Sequence, residues 1–155
     1  MSVKLSEEII NAIKDKQSVK VLASISKDGI PHVTVKDSIK VLEDGRIAYY
    51  ELLESSQTQR NLVFSIWFNK QVAINVITKD SKSYLIKGKP YKAIIAGQQF
   101  EKAYNEVQEK LGKDHDLSTV WIIEPEEVYE ETYSVKREII EKEHPYVLHF
   151  DRIAK

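Results

Sequence analysis

Hydrophobic positions along the chain alternate between two periods, and the change of period marks the elements. From Val19 to Ser26, Val19, Val21, Ala23 and Ile25 are set against Lys20, Leu22, Ser24 and Ser26, the two-residue repeat of a strand with one largely apolar face. Lys27-Asp28-Gly29 turns this strand into a second, His32 to Leu42, and Glu43-Asp44-Gly45 turns that into a third, Arg46 to Glu51. The Asp-Gly pairs provide the positive φ that tight hairpins require. Ser6 to Lys14 reads as a helix, with Ser6 as cap, acids in the first turn, and Ile9, Ile10 and Ile13 on one face.

Leu62 to Phe68 continues as a helix, followed by a strand at Gln71 to Thr78, a polar turn over Lys79 to Lys82, and a long strand from Ser83 to Ile95. Gly88 and Pro90 lie inside that long strand and predict a bulge or bend. Gln98 to Leu111 places Phe100, Ala103, Tyr104, Val107 and Leu111 at helical spacing and stops at Gly112. Thr119 to Glu124 is a sixth strand, ended by Pro125. Six strands with short hairpins and interposed helices predict a mainly β fold, a small closed antiparallel barrel without exposed edges. The tail is less regular. Tyr133 to Ile140 fits strand or helix, and Tyr146 to Phe150 is an apolar run suited to a partner subunit or a lid. The reading is one domain over residues 1–155, with an N-terminal helix in 1–18 and a C-terminal extension in 126–155.

Composition narrows the chemistry. At 155 residues and 42% hydrophobic content the chain can bury one core. It has no cysteine, which removes disulfides, thiolate nucleophiles, iron–sulfur clusters and Cys-ligated zinc, and is compatible with a cytoplasmic protein. No apolar run approaches the roughly 18 residues of a membrane span, and Ile9 and Ile10 sit among charges rather than in a signal-peptide core. Residues 51–100 carry seven Lys/Arg against three Asp/Glu, whereas residues 101–155 carry eight against fourteen. A mildly positive middle suits a small anionic ligand and is too weak for a nucleic-acid footprint.

That middle contains Ser55-Ser56-Gln57-Thr58-Gln59-Arg60-Asn61-Leu62, a polar strand exit opening onto the helical pattern of Leu62, Val63, Ile66 and Trp67. Amides at a helix start lack intrahelical partners and the dipole favours an anion there, so a phosphate would fit beside Gln57, Thr58 and Arg60. The plainer alternative is that Ser56 or Thr58 caps the helix. Other chemistries find little support. The four histidines have no metal-ligand spacing, the acid pairs lie in an acidic run, and no phosphate-binding glycine loop or nucleophile elbow occurs. No residue is marked as general acid, base or nucleophile. Trp67 and Trp121 read as core or interface anchors.

Three segments together, Val21 to Val33 with Asp28-Gly29-Ile30-Pro31-His32-Val33, Lys40 to Ile47, and Gln57 to Leu62 with Thr58-x-x-Asn61-Leu62, resemble the pyridoxamine 5′-phosphate oxidase-like FMN-binding split barrels. The similarity runs from about Val19 to Glu124 and is greatest to short single-domain members. The resemblance implies a six-stranded split barrel and a homodimer with FMN at the subunit interface. It further implies cofactor contacts from Thr34, Val35, Lys36 and Ser38 on the second strand, from Tyr50 (or Tyr49) and Glu51 on the third, and from Ser56, Gln57, Thr58 and Asn61 at the helix start. Many relatives carry lysine at the position of Gln57 or Thr58; here neither is basic, and Lys36 is the candidate replacement. Oxidases of pyridoxamine phosphate proper have a C-terminal region rich in arginine and histidine, whereas this tail holds Arg137 and Arg152. The implied function is an FMN oxidoreductase or electron carrier of undefined substrate. Alternatives are a non-catalytic domain with a degenerate flavin site, or a deazaflavin- or haem-binding relative.

Overall fold

The computed structural model describes residues 2–144 and 148–153. Helix α1 (Glu7–Lys14) begins where the Ser6 hydroxyl accepts from the Ile9 amide, and it buries Ile9, Ala12 and Ile13. Strands β1 (Val19–Ile25) and β2 (Pro31–Val35) meet at Gly29, with φ 79°. Strands β3 (Lys40–Val41) and β4 (Ile47–Glu51) meet at Gly45, with φ 88°. Both glycines hold the left-handed backbone anticipated from Asp-Gly. Helix α2 (Gln57–Phe68), strands β5 (Val72–Ile77) and β6 (Ser83–Ile94), helix α3 (Gln98–Leu111), strand β7 (Thr119–Glu130) and helix α4 (Tyr133–Glu143) follow.

The strands form one antiparallel sheet in the order β2-β1-β5-β6-β7-β4-β3. It curls into a half-barrel around Leu22, Ile47, Tyr49, Leu62, Ile74, Ile86, Trp121 and Ile123, with Leu5, Ile9 and Ile13 closing one end. A smaller core lies under α3, where Ala103 and Val107 meet Ala48, Ile94, Val120 and Ile122. Among the described residues no helix is long and apolar enough to cross a membrane.

Three expectations need correction. Among the described residues there are seven strands, not six, because the run from His32 to Leu42 breaks at Lys36-Asp37-Ser38, where the Ile39 amide donates to the Lys36 carbonyl at 3.4 Å. The break is what allows one segment to serve both sheet edges: β2 pairs with β1, and β3 pairs with β4. For the same reason the barrel is not closed by a ladder, since β2 and β3 are the two ends of the strand order. Pro125 does not end the last strand. It lies opposite Gly88, where the register shifts, and β7 runs on to Glu130. A proline without an N–H is tolerated at such a bulge, and glycine lets the two backbones close in. A β-carbon at Gly88 would collide with the Glu124 carbonyl oxygen.

Which row of β1 faces the core is not given by its alternation, and the structure decides it. In β1 the row that faces the core is Lys20, Leu22 and Ser24, while Val19, Val21, Ala23 and Ile25 face outward. Cross-strand pairing extends this arrangement to β2. Thr34 pairs with Leu22 and His32 with Ser24 on the inner side, and Val33 and Val35 stand outward at 62% and 54% exposure. Lys20 tolerates burial because its ammonium donates to the carbonyls of Ile13, Asp37 and Ile39 at 3.3, 3.1 and 3.1 Å. Across the split, the Ser38 hydroxyl donates to the Tyr50 carbonyl at 3.2 Å and accepts from the Tyr50 amide at 3.0 Å.

In the tail, Tyr133 to Ile140 is helical within α4, none of whose residues is buried. Of the apolar run at its end, Tyr146 and Val147 lie outside the described residues, and Leu148 and Phe150 are exposed.

Candidate functional site

Helix α2 starts at Gln57 because Ser56, in extended backbone, accepts from the Gln59 amide at 3.0 Å. Ser56 is therefore the cap, and Thr58 sits inside the first turn, almost wholly buried. The first turn holds no acid, unlike those of α1, with Glu7 and Glu8, and α3, with Glu101. The positive end of the α2 dipole is thus not neutralised by its own carboxylates, and Arg60 lies one turn in, donating to the Gln57 side-chain oxygen at 2.9 Å.

From this start two chains of contacts reach the sheet. The Gln57 amide group donates to the Asn61 side-chain oxygen at 2.7 Å, and Asn61, buried, donates to the Ser24 hydroxyl at 3.0 Å. Gln59 donates to the Thr119 hydroxyl at 3.1 Å and accepts from the Trp121 indole at 2.8 Å. Thr119 is the cross-strand partner of Glu51, so β4 and β7 bring that carboxylate to the same end of the half-barrel.

Glu51 is 2% exposed and accepts from the Tyr49 hydroxyl and, at 3.0 Å, from the Leu53 amide. Lys36 supplies its counter-charge at 3.5 Å and lies 5.1 Å from the centre of the Tyr49 ring. Burial, reinforced by Glu51, pushes the Tyr49 phenol far above its ordinary pKa, so it remains a donor at every working pH.

Of the sequence-derived set, Lys36, Glu51, Ser56, Gln57, Thr58 and Asn61 surround the start of α2 or connect to it through Thr119, and Thr34 lies on the same inner row as Lys36. The others are distributed differently. Val35 belongs to the outward sheet face, and Ser38 is engaged by the Tyr50 backbone at the split. Tyr50 alternates away from Tyr49 and Glu51, and its hydroxyl donates to Glu106 of α3 at 2.9 Å. Lys40 donates to the same Glu106 oxygen at 3.2 Å. Burial would raise the Glu106 carboxyl, but the Tyr50 hydroxyl and Lys40 outweigh it and hold the carboxyl below the ordinary range.

Ser24, Gln59 and Lys20 were not singled out as site residues by sequence reasoning, and Tyr49 only as the alternative to Tyr50. Their signal was present: Lys20 and Ser24 flank Leu22 on a strand whose other row is wholly apolar, a placement that asks for buried partners. Among the described residues no group of three or more His, Cys, Asp or Glu is arranged to hold a metal ion.

No protein-family model matches the sequence, and no curated protein matches it. The fold, by contrast, is shared with solved structures. HupZ of Group A Streptococcus superposes with a TM-score of 0.67 at 19% identity, covering 83% of this chain and 95% of that one. An FMN-binding protein from Syntrophomonas wolfei gives 0.62 at 9% identity, covering 79% and 83%. A pyridoxamine 5′-phosphate oxidase-related, FMN-binding protein from Nostoc punctiforme gives 0.59 at 11% identity, covering 80% and 83%. An F420 reductase and HutZ, the haem storage protein of Vibrio cholerae, share the same fold. The chain therefore has the pyridoxamine 5′-phosphate oxidase-like split-barrel fold, one whose solved members include proteins named for FMN, F420 and haem.

Proposed function

We propose that this chain binds FMN as a homodimer, in the cytoplasm, and acts as an oxidoreductase or electron carrier. The observation that carries the reading is the start of α2: an acid-free first turn with Arg60 and Gln57 at its mouth, joined through Asn61 and Ser24 to the polar inner row of β2. Such an end suits a phosphate, since amides, dipole and guanidinium act in the same direction. Gln57, Thr58 and Arg60 would hold the phosphate, with Thr34, Lys36 and Glu51 nearer the polar edge of the ring. A bound flavin supplies electron or hydride transfer; the chain supplies binding, orientation and charge. The cysteine-free sequence is in keeping with a reducing compartment.

The dimer is supported by the outward face of β2, β1 and β5. Val33, Val35, Val19 and Ile77 are exposed there on adjacent strands, an apolar surface of the kind that subunits cover. Val35, on that surface, would contact the cofactor only if it lies between subunits.

Titration with FMN, followed by desalting, tests the cofactor: fluorescence quenching and retained yellow colour are expected. No quenching at high micromolar FMN overturns the reading. Light scattering is expected to give twice the 17.9 kDa of one chain.

A second reading, a non-catalytic domain with a degenerate flavin site, is favoured by the pairing of Lys36 with Glu51, which occupies the nearest replacement cation. Absorbance of protein purified from a native host separates the possibilities. A flavin doublet supports FMN, a deazaflavin band or a Soret peak points to the F420 or haem relatives, and a colourless protein that ignores added FMN points to the degenerate site.

A further inference from the structure

The split between β2 and β3 is where this sheet lacks a backbone ladder, and the turn that spans it, Lys36 to Ile39, carries Lys36 of the candidate site and Ser38, which the Tyr50 backbone engages. One buried side chain holds that turn. The Lys20 ammonium has three N–H groups, and three carbonyl oxygens lie around it. Two belong to the turn region, Asp37 and Ile39. The third, Ile13, is in the last turn of α1, where carbonyls have no intrahelical partner and the helix dipole favours a cation. The Lys20 carbonyl also accepts from the Lys36 amide at 2.9 Å. Lys20 is 8% exposed, so few of these bonds can be replaced by water.

We infer that Lys20 is a positioning residue for the candidate site, a three-way clasp that fixes the Lys36–Ile39 turn against α1 and so sets where Lys36 and Ser38 stand. The inference rests on the cofactor reading for its functional half. The physical argument is one of satisfaction: an ammonium is the side-chain group whose three donors can answer three converging carbonyls. Methionine matches the stem in length and leaves those carbonyls unanswered. The strand carrying Lys20 is held on both sides, by β2 and β5, so the stem is fixed and the turn is the part free to yield.

Hydrogen exchange on wild type and Lys20→Met, each with and without FMN, tests the clasp. In the variant the Lys36 and Ile39 amides are expected to exchange at least tenfold faster, while amides of β5 and β6 keep their protection, and the Kd for FMN is expected to rise roughly tenfold. Unchanged exchange at Lys36 and Ile39 overturns the inference. So does loosening of the turn with unchanged FMN affinity, which leaves Lys20 a structural residue. Should Lys20→Met fail to fold, the wild-type protein decides by nitrogen-15 NMR. A Lys20 ammonium signal protected from exchange with water supports the clasp, and one as labile as those of surface lysines overturns it. A wild type that takes up no FMN while its Lys20 ammonium is protected loses the cofactor reading and the functional half of this inference, and keeps the clasp.

Discussion

Two seams of the same sheet are held together in opposite ways. Between β6 and β7 the backbone does the joining: the ladder runs from Tyr84–Glu130 to Ile94–Val120 and absorbs two register shifts on the way. At the split between β2 and β3 no ladder exists, and side chains replace it: Lys20 of β1 answers the Asp37 and Ile39 carbonyls, and Ser38 of the turn answers the Tyr50 backbone of β4. Backbone ladders accept most sequences and fail where a side chain intrudes. A side-chain seam fails where one is taken away. The long ladder can therefore tolerate Gly88 and Pro125 in its middle, whereas the split depends on a lysine and a serine that look unremarkable in the sequence.

The sharpest way to break the ladder is to add an atom. Gly88→Ala drives a methyl into the Glu124 carbonyl and is expected to cost about 3 kcal/mol, read by urea unfolding. A loss below about 1 kcal/mol would show that the two strands can part without cost. Asn61→Ala removes the link between α2 and the inner row, leaving the Ser24 hydroxyl without its donor, and should cost about 2 kcal/mol in the same assay. At the split, Ser38→Ala leaves the Tyr50 amide and carbonyl without their partner, for about 1.5 kcal/mol. If Ser38→Ala were as costly as Gly88→Ala, the contrast between the seams would vanish.

Smaller effects refine the picture. Ser56→Ala should cost about 1 kcal/mol by uncapping α2, while the buried Thr58 contributes no cap. Thr58→Val with unchanged FMN affinity would remove its hydroxyl from the proposed phosphate contacts. Glu106 gives the gentlest test, by pH. Its carboxyl is held low in the folded chain, so its contribution is present above the ordinary glutamate value of about 4.3 and is lost as pH falls through the lower folded value. Acid should loosen α3 from Lys40 and Tyr50 before it disturbs β5 and β6, visible as early exchange at Ala103 and Val107. Glu106→Gln should remove that early phase.

The sequence was most readable where structure is local. The Ser6 cap, the Asp-Gly hairpins, the helix ending at Gly112 and the irregularity at Gly88 and Pro90 all follow from neighbours in the chain, and all are found. The break in the second strand was less legible, because Lys36-Asp37-Ser38 turns in order to reach the other edge of the sheet, a demand set by Tyr50 and Lys20 at a distance. The facing of β1 was hidden for a related reason. Periodicity finds two rows but does not tell which is inside, and here the inner one contains a lysine whose partners come from two separate segments, the end of α1 and the Lys36–Ile39 turn. For the candidate site, the start of α2 stood out through its polar run, whereas Gln59 takes its partners from β7 and Ser24 its donor from α2, pairings that no neighbour in the chain reveals.

One consequence of the split concerns other copies of the chain. Sheet edges offer unpaired backbone to any strand that passes, and association through them leads to aggregates. Here one edge is five residues long and opens with a proline, and the other is two residues long. Both come from the same stretch of chain, with the turn between them tied down. The molecule thus keeps its sticky rims short, and the proposed pairing of copies falls to its faces, a closed arrangement rather than an open-ended fibre.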